Sequence, residues 1–309
     1  MEVKWLEDLV ALAEAGSLTE AAARRNVTQP AFTRRIKVIE ASLGAEVLDR
    51  ARKPARILPA IARQLDAMRV LAVDVRRLTQ DMQAPEGTRR QLVIAAQHSL
   101  TVAYLPAFIA RMQDAFPNLT FRLRSANRDE CYSLLMTRQA NMLVAYETAR
   151  LPIAPDETLI EKLRIGGDQL IPIVAPGLLP VASREAPHEA RLPETLKIIA
   201  YPRDVFFGTL QQQEVLPLLS RDHRFDTVCE TALVPAVLQL ALSGTGIAWV
   251  PRQLAAGPIA RGDLHDLSDA LGAVPLDIMV ARLRTPRSRL AESLWAQFEL
   301  IAGGHRTVE

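Results

Sequence analysis

Apolar positions recur at helical spacing over the first sixty residues. Trp5, Leu6, Leu9, Val10 and Ala13 mark one helix, which Gly16 ends. Ser17 or Thr19 caps a second, which carries Ala21, Ala22 and Ala23, small residues that let helices approach closely. Asn26-Val27 makes a turn, Thr28 caps a third helix, Pro30 falls in its first turn, and Gly44 stops it after Leu43. Phe32, Ile36, Ile39 and Leu43 form one buried stripe of that helix. From 59 to 86 the pattern predicts one long helix with a 3.5-residue seam: Ile61, Leu65, Met68, Ala72, Val75 and Met82, with Thr79 as the polar member. Such a seam suits a helix–helix dimer, or packing of an amphipathic helix on its own domain. Pro85-Glu86-Gly87-Thr88 marks a hinge.

Beyond residue 90 the period changes. Strands are expected at Gln91–Ala96, Leu119–Arg124, Met142–Tyr146, Leu170–Val174, Lys197–Tyr201, Thr227–Cys229, Ile247–Val250 and Leu276–Ala281. Between and after them, helices are expected at about 101–116, 128–137, 209–219, 234–242 and 289–301. This alternation predicts an α/β domain with mostly parallel sheets. The expected organisation is residues 1–58, a linker helix and hinge at 59–88, and an α/β domain at 89–309.

Charge sharpens the picture. The net charge of the 309-residue chain is only +2, but residues 24–56 hold nine bases against three acids. A local basic patch points to a polyanion, and a solvated helix face is the plainer alternative. On the third helix, Gln29, Pro30, Thr33, Arg34 and Lys37 share an arc away from the apolar stripe. Gln pairs bidentately with adenine and Arg with guanine, so this arc suits the major groove. Pro30 equally well starts the helix. Arg35 is expected to face solvent or a neighbouring acid. Arg50, Arg52 and Lys53 in a basic loop suit phosphates.

Catalytic and metal signatures fail. His188-Glu189 is followed by Leu192 where a zincin needs its second histidine, no G-x-S-x-G surrounds Ser99, and Gly244-Thr245-Gly246 lacks the third glycine of a dinucleotide loop. No enzyme, cofactor or metal site is expected. No run of about 18 apolar residues suggests a membrane span. The start, Met1-Glu2-Val3-Lys4-Trp5, has no apolar secretory core. Two cysteines, Cys131 and Cys229, make no disulfide framework. A cytoplasmic location is expected.

Ala15-Gly16-Ser17-Leu18-Thr19-Glu20-Ala21-Ala22, then Val27-Thr28-Gln29-Pro30-Ala31-Phe32-Thr33-Arg34-Arg35-Ile36, then Ile39-Glu40 and Leu43-Gly44, resemble the LysR-type transcriptional regulators. Looser matches follow in the family's order: Leu105-Pro106, Phe116-Pro117-Asn118-Leu119 and Leu242-Ser243-Gly244-Thr245-Gly246-Ile247-Ala248-Trp249-Val250-Pro251. Two elements depart from the pattern: Pro59-Ala60-Ile61-Ala62 replaces the usual Thr-x-Ala-Gly, and Gln139-Ala140-Asn141-Met142 replaces Gly-x-Leu-Asp. The resemblance implies a winged helix-turn-helix, a dimerising linker helix and a two-lobed effector domain similar to periplasmic binding proteins. Lobe 1 would comprise about 90–163 and 269–302, and lobe 2 about 164–268. The partners implied are double-stranded promoter DNA, a small-molecule effector and further copies of the chain, as homodimer or homotetramer. Lys4-Trp5-Leu6, Gln29-Pro30-Ala31-Phe32, Ala96-Gln97-His98-Ser99-Leu100 and Gly246-Ile247-Ala248-Trp249 together look like a branch of the family with a hypochlorite-responsive member, which makes oxidant response the alternative reading. The resemblance places the aromatic pair Phe206-Phe207 in the cleft segment of lobe 2, where an oxidant sensor would carry a methionine.

For the effector, ligands of open α/β sheets bind beyond the carboxyl ends of strands, and a helix N-terminus there favours an anion. His98, Ser99 and Thr101 follow one strand, and Tyr201, Arg203 and Thr231 follow two others. These six are the candidate effector contacts. Helix capping by Ser99 and Thr101, and a structural His98, are the alternatives.

Overall fold

In a computed structural model, described over residues 2–50, 56–83, 90–153, 158–178, 192–220, 222–284 and 289–305, the chain forms two compact units. One comprises residues 1–88 with 137–139, the other residues 89–136 with 140–309.

The first unit is built from α1 (Val3–Ala15), α2 (Leu18–Arg24) and α3 (Gln29–Leu43), then a two-stranded wing of β1 (Leu48–Asp49) and β2 (Arg56–Ile57). Gly16 and Gly44 end α1 and α3 in the left-handed region, at φ 66° and 65°, where a Cβ would be strained. Ser17 caps α2 by accepting from the Glu20 N–H at 3.2 Å. Thr28 occupies the N-cap position of α3 but makes no side-chain cap bond, so the expected capping is positional only. Phe32, Ile36 and Ile39 are fully buried against Leu9, Leu12, Ala21 and Ala22. Each large side chain so buried contributes about 1.5–3 kcal/mol.

The expected single helix over 59–86 is two: α4 (Pro59–Ala62) and α5 (Leu65–Gln83), interrupted at Arg63–Gln64. Residues 84–86 lie outside the described residues. Met68 and Ala72 are buried in the same core as α1, with Ile61 and Leu65 packed at its edge. Much of the seam therefore serves this unit itself. A hydrophobic stripe specifies that a face is covered and leaves open by what. Val75 and Leu71, one turn apart, remain exposed, at 39% and 52%.

The second unit is a seven-stranded sheet ordered β10-β6-β11-β5-β3-β4, with β9 also paired to β6. These are β3 (Arg90–Gln97), β4 (Leu119–Ala126), β5 (Met142–Glu147), β6 (Ile160–Val174), β9 (Ala248–Pro251), β10 (His265–Asp266) and β11 (Val274–Leu283). The expectation of mostly parallel strands is wrong for this sheet. β3 runs parallel to β4 and β5, but β11 is antiparallel to β5 and β6, and β6 is antiparallel to β9 and β10. Helix–strand alternation does not encode the direction of a strand such as β11 that returns late in the chain. A parallel pair, β7 (Thr195–Ala200) and β8 (Arg224–Glu230), forms a small second sheet.

Two further expected helices are broken. In place of 101–116 stand α6 (His98–Ala103) and α7 (Leu105–Ala115), because Pro106 cannot donate within a continuous helix. In place of 209–219 stand α9 (Phe206–Leu210), a π-turn at Gln211–Val215 and α10 (Leu216–Leu219). The helices α8 (Arg128–Met136), α11 (Val234–Leu242), α12 (Arg252–Ala260), α13 (Ser268–Leu271) and α14 (Arg289–His305) complete the unit.

Candidate nucleic-acid interface and ligand cleft

Gln29, Pro30, Arg34 and Lys37 are exposed along α3, as an arc that meets DNA must be. Thr33 is half-buried and donates its hydroxyl to the Gln29 carbonyl at 2.9 Å, which ties down the first turn. Arg50 is exposed but already paired, at 2.6 Å from Glu40 and 3.9 Å from Glu46. Burial works against the Glu40 charge, but the Val47 N–H and Arg50 outweigh it and lower its pKa. Arg50 is therefore a shared cation that also braces the wing. Arg52 and Lys53 lie outside the described residues.

A cluster that the sequence reading missed sits behind the arc. Asp8 on α1 is fully buried and accepts from Arg25 Nε at 2.7 Å and from Arg35 Nη1 at 3.4 Å. Arg25 also donates to Glu7 at 2.7 Å, and Glu7 pairs with Arg76 of α5. Burial disfavours the Arg25 charge, yet the two carboxylates outweigh it and raise the pKa. The available signal was an acid next to Leu9 in the apolar stripe of α1, where a buried charge requires partners.

In the second unit a cleft opens at the carboxyl ends of β3 and β4. Gln97, His98, Ser99 and Arg128 line one side, and Val205, Phe206 and Phe207 line the other. Its free volume is about 10 Å³, room for about one water molecule. Ser99 is fully buried, and its hydroxyl has no hydrogen-bond partner. Arg128 Nε is likewise buried without a hydrogen bond, and lies 3.6 Å from the Asp129 carboxylate. The Arg128 guanidinium lies 4.4 Å from the Phe206 ring centre, and Nη1 donates to the Leu151 carbonyl at 2.9 Å. Burial lowers the Arg128 pKa and outweighs the opposing influence of Asp129 and Glu147. Burial also lowers that of His98, against the opposing influence of Glu130, and His98 Nδ1 meets Ser125 Oγ at 2.9 Å. Gln97 holds the floor by accepting from the Tyr146 N–H at 2.6 Å.

Of the six expected effector residues, only His98 and Ser99 line this cleft. Thr101 donates to the Gln97 carbonyl within its own helix, at 3.2 Å. Tyr201 is fully buried and donates to the Trp249 carbonyl at 2.7 Å, so it is a core residue. Arg203 is exposed and off the cleft. Thr231 accepts from the Leu233 N–H at 3.3 Å in a turn. Strand ends place a residue near a cleft, but which way each side chain turns is decided by the packing beneath it. Arg128 was missed because nothing in sequence links α8 to the segment after β7, whereas the aromatic pair Phe206-Phe207 lines the cleft as the resemblance implies.

The match to family models decides the relationship. Residues 3–61 match the bacterial regulatory helix-turn-helix protein, lysR family, and residues 85–300 match the LysR substrate binding domain. The chain belongs to the LysR family of transcriptional regulators. This LysR-family regulator is 26% identical to the HTH-type transcriptional regulator YjiE of Escherichia coli (strain K12) over 305 residues, 96% of this chain and 94% of the relative. The LysR family regulator VV2_1132 superposes with a TM-score of 0.57 at 26% identity, covering 96% of this chain and 98% of that one. Full-length HypT of Salmonella typhimurium, a hypochlorite-specific LysR-type regulator, superposes at 0.56 with 23% identity over 98% of this chain and 99% of its own. The regulator thus joins a DNA-binding helix-turn-helix to an α/β effector domain.

Proposed function

We propose that this LysR-family regulator binds promoter DNA in the cytoplasm as a homodimer or homotetramer, acting by binding rather than catalysis, and answers to a small anion held in the cleft. Gln29, Pro30, Thr33, Arg34 and Lys37 read the major groove, and Arg50, Arg52 and Lys53 meet phosphates. One observation carries the effector reading: the Ser99 hydroxyl and Arg128 Nε are both buried without a hydrogen bond and both residues line the cleft, Arg128 keeping only a 3.6 Å ion pair with the exposed Asp129 carboxylate. Buried donors without partners cost free energy that an anion accepting from both would recover. An anion larger than a few atoms requires the 205–207 segment to withdraw. That movement is the differential contact by which a ligand shifts the domain between states.

A thermal-shift screen of small inorganic anions and carboxylates, at matched ionic strength on the full chain, tests this. A specific anion at 100 times its Kd should stabilise the wild type by about 2.7 kcal/mol. Ser99→Ala and Arg128→Gln should each abolish that shift. An anion that binds both variants as it binds wild type places the site elsewhere. The oxidant-responsive alternative draws no support from Cys131 or from the cleft lining. Cys131 is buried, with its pKa pushed up to about 12 by burial, and the described lining of the cleft holds no sulfur atom.

For assembly, Val75 is the better probe than Leu65, which already packs within its own unit. Val75→Lys should convert the dimer to monomer in light scattering, since it places a charge on the remaining apolar face of α5. An unchanged oligomer would remove α5 from the interface.

A further inference from the structure

Arg35 pairs with an acid, Asp8, and the cluster around that carboxylate gives it a sharper role. Asp8 is fully buried. Its closer partner is Arg25, at 2.7 Å, and Arg35 is the farther, at 3.4 Å. Arg25 is the more enclosed cation, with 23% of its side chain exposed, whereas Arg35 keeps 40%. The carboxylates of Glu7 and Asp8 face three guanidiniums, those of Arg25, Arg35 and Arg76, so the cluster carries a net positive charge. Arg35 also lines an open groove of about 460 Å³ with Trp5, Pro30, Ala31, Arg34 and Val38. Two of those residues, Pro30 and Arg34, belong to the proposed recognition arc. The groove is therefore continuous with the DNA-facing side of α3, is flanked by two cations, and has an apolar floor.

We propose that Arg35 is a further DNA-phosphate ligand, held in position by the buried carboxylate of Asp8, and that the groove beside it receives the sugar-phosphate backbone flanking the base-reading arc. This rests on the reading of α3 as the recognition helix. The chemistry is that of a buttressed guanidinium. Asp8 takes one edge of Arg35 and restricts its rotamers, so less side-chain freedom is lost when a phosphate takes another N–H. Because Arg25 also neutralises Asp8, Arg35 is not bound so tightly that a phosphate cannot compete. The groove's positive rim matches a polyanion, which is why DNA is favoured over an apolar or basic partner.

The test is a salt titration of the full-length chain on its own upstream DNA and on unrelated duplex, by fluorescence anisotropy. Arg35→Gln should lower the slope of log K against log salt by about 0.9. It should weaken both duplexes by the same factor, so that selectivity is retained. Arg35→Lys keeps the charge and should keep the slope, with affinity still reduced because the planar fork is lost. Asp8→Asn should weaken DNA binding in the wild-type background and have little further effect in the Arg35→Gln background. If Asp8→Asn does not fold, the two Arg35 variants decide. An unchanged slope in Arg35→Gln overturns the proposal, whether or not its melting temperature falls, since Arg35 would then only partner Asp8. Loss of transcriptional output with unchanged DNA binding also overturns it, and gives the groove to a protein partner. Gln29→Ala, measured alongside, reports on the arc separately: failure there with a lowered Arg35 slope rejects the arc and leaves the phosphate contact standing.

Discussion

Gly208→Ala should lower the melting transition of the effector domain by roughly 6–12 °C, from a cost of about 3 kcal/mol at ~2–4 °C per kcal/mol. A Cβ built at Gly208 would stand 1.8 Å from the Pro202 carbonyl oxygen and 2.7 Å from its carbon. Both are backbone atoms, so no rotamer change relieves the clash. The helix and the turn before it are also tied by hydrogen bonds, from the Val205 N–H to the Pro202 carbonyl at 3.2 Å and from the Thr209 hydroxyl to the Arg203 carbonyl at 3.1 Å. Moving α9 away from Pro202 would break these and withdraw Phe206 and Phe207 from the cleft. The variant should therefore lose the ligand-driven change as well as stability, because the segment that the ligand would displace already stands withdrawn. Calorimetry on the full chain reads the first effect. A melt within 2 °C of wild type (roughly 1 kcal/mol or less) would show that the turn can open cheaply.

Gln29→Ala should cost about 1–3 kcal/mol at the specific site, roughly 5- to 150-fold in affinity, while leaving binding to unrelated duplex nearly intact. Gln29 is exposed at the first position of α3, and the Thr33 hydroxyl on its carbonyl makes that first turn rigid. A carboxamide so placed offers one donor and one acceptor in a plane, matching the edge of adenine. Its removal strips sequence information without removing charge, so the salt slope should not change. Competition binding with operator variants checks this, and equal loss on every sequence would assign Gln29 to the backbone.

The helix-turn-helix was legible because its determinants are local. The stripe of Phe32, Ile36 and Ile39, the glycines at 16 and 44 and the basic arc on α3 all act within one or two turns of helix, and the spacing of residues carries them directly. The family resemblance rested on the same stretch. The α/β character of the second unit was legible for a similar reason, since the hydrophobic period distinguishes strand from helix.

What only the tertiary structure decided lies between segments far apart in the chain. The direction of β11 in the sheet depends on the path that returns it beside β6 and β5. The continuous β6 was read only from Leu170 onward, because Glu161, Lys162 and Arg164 hide a strand that is half-buried along that stretch. Tyr201 and Ser99 each follow a strand and are both fully buried, yet one hydroxyl bonds Trp249 and the other is left open to the cleft. Pairwise distances set that difference, as they set the placing of Arg128 beside Phe206 and of Arg25 and Arg35 around Asp8. Hydrophobic periodicity is a property of one segment. Burial of a particular polar atom is a property of everything packed around it, and so it emerges only once the chain has folded.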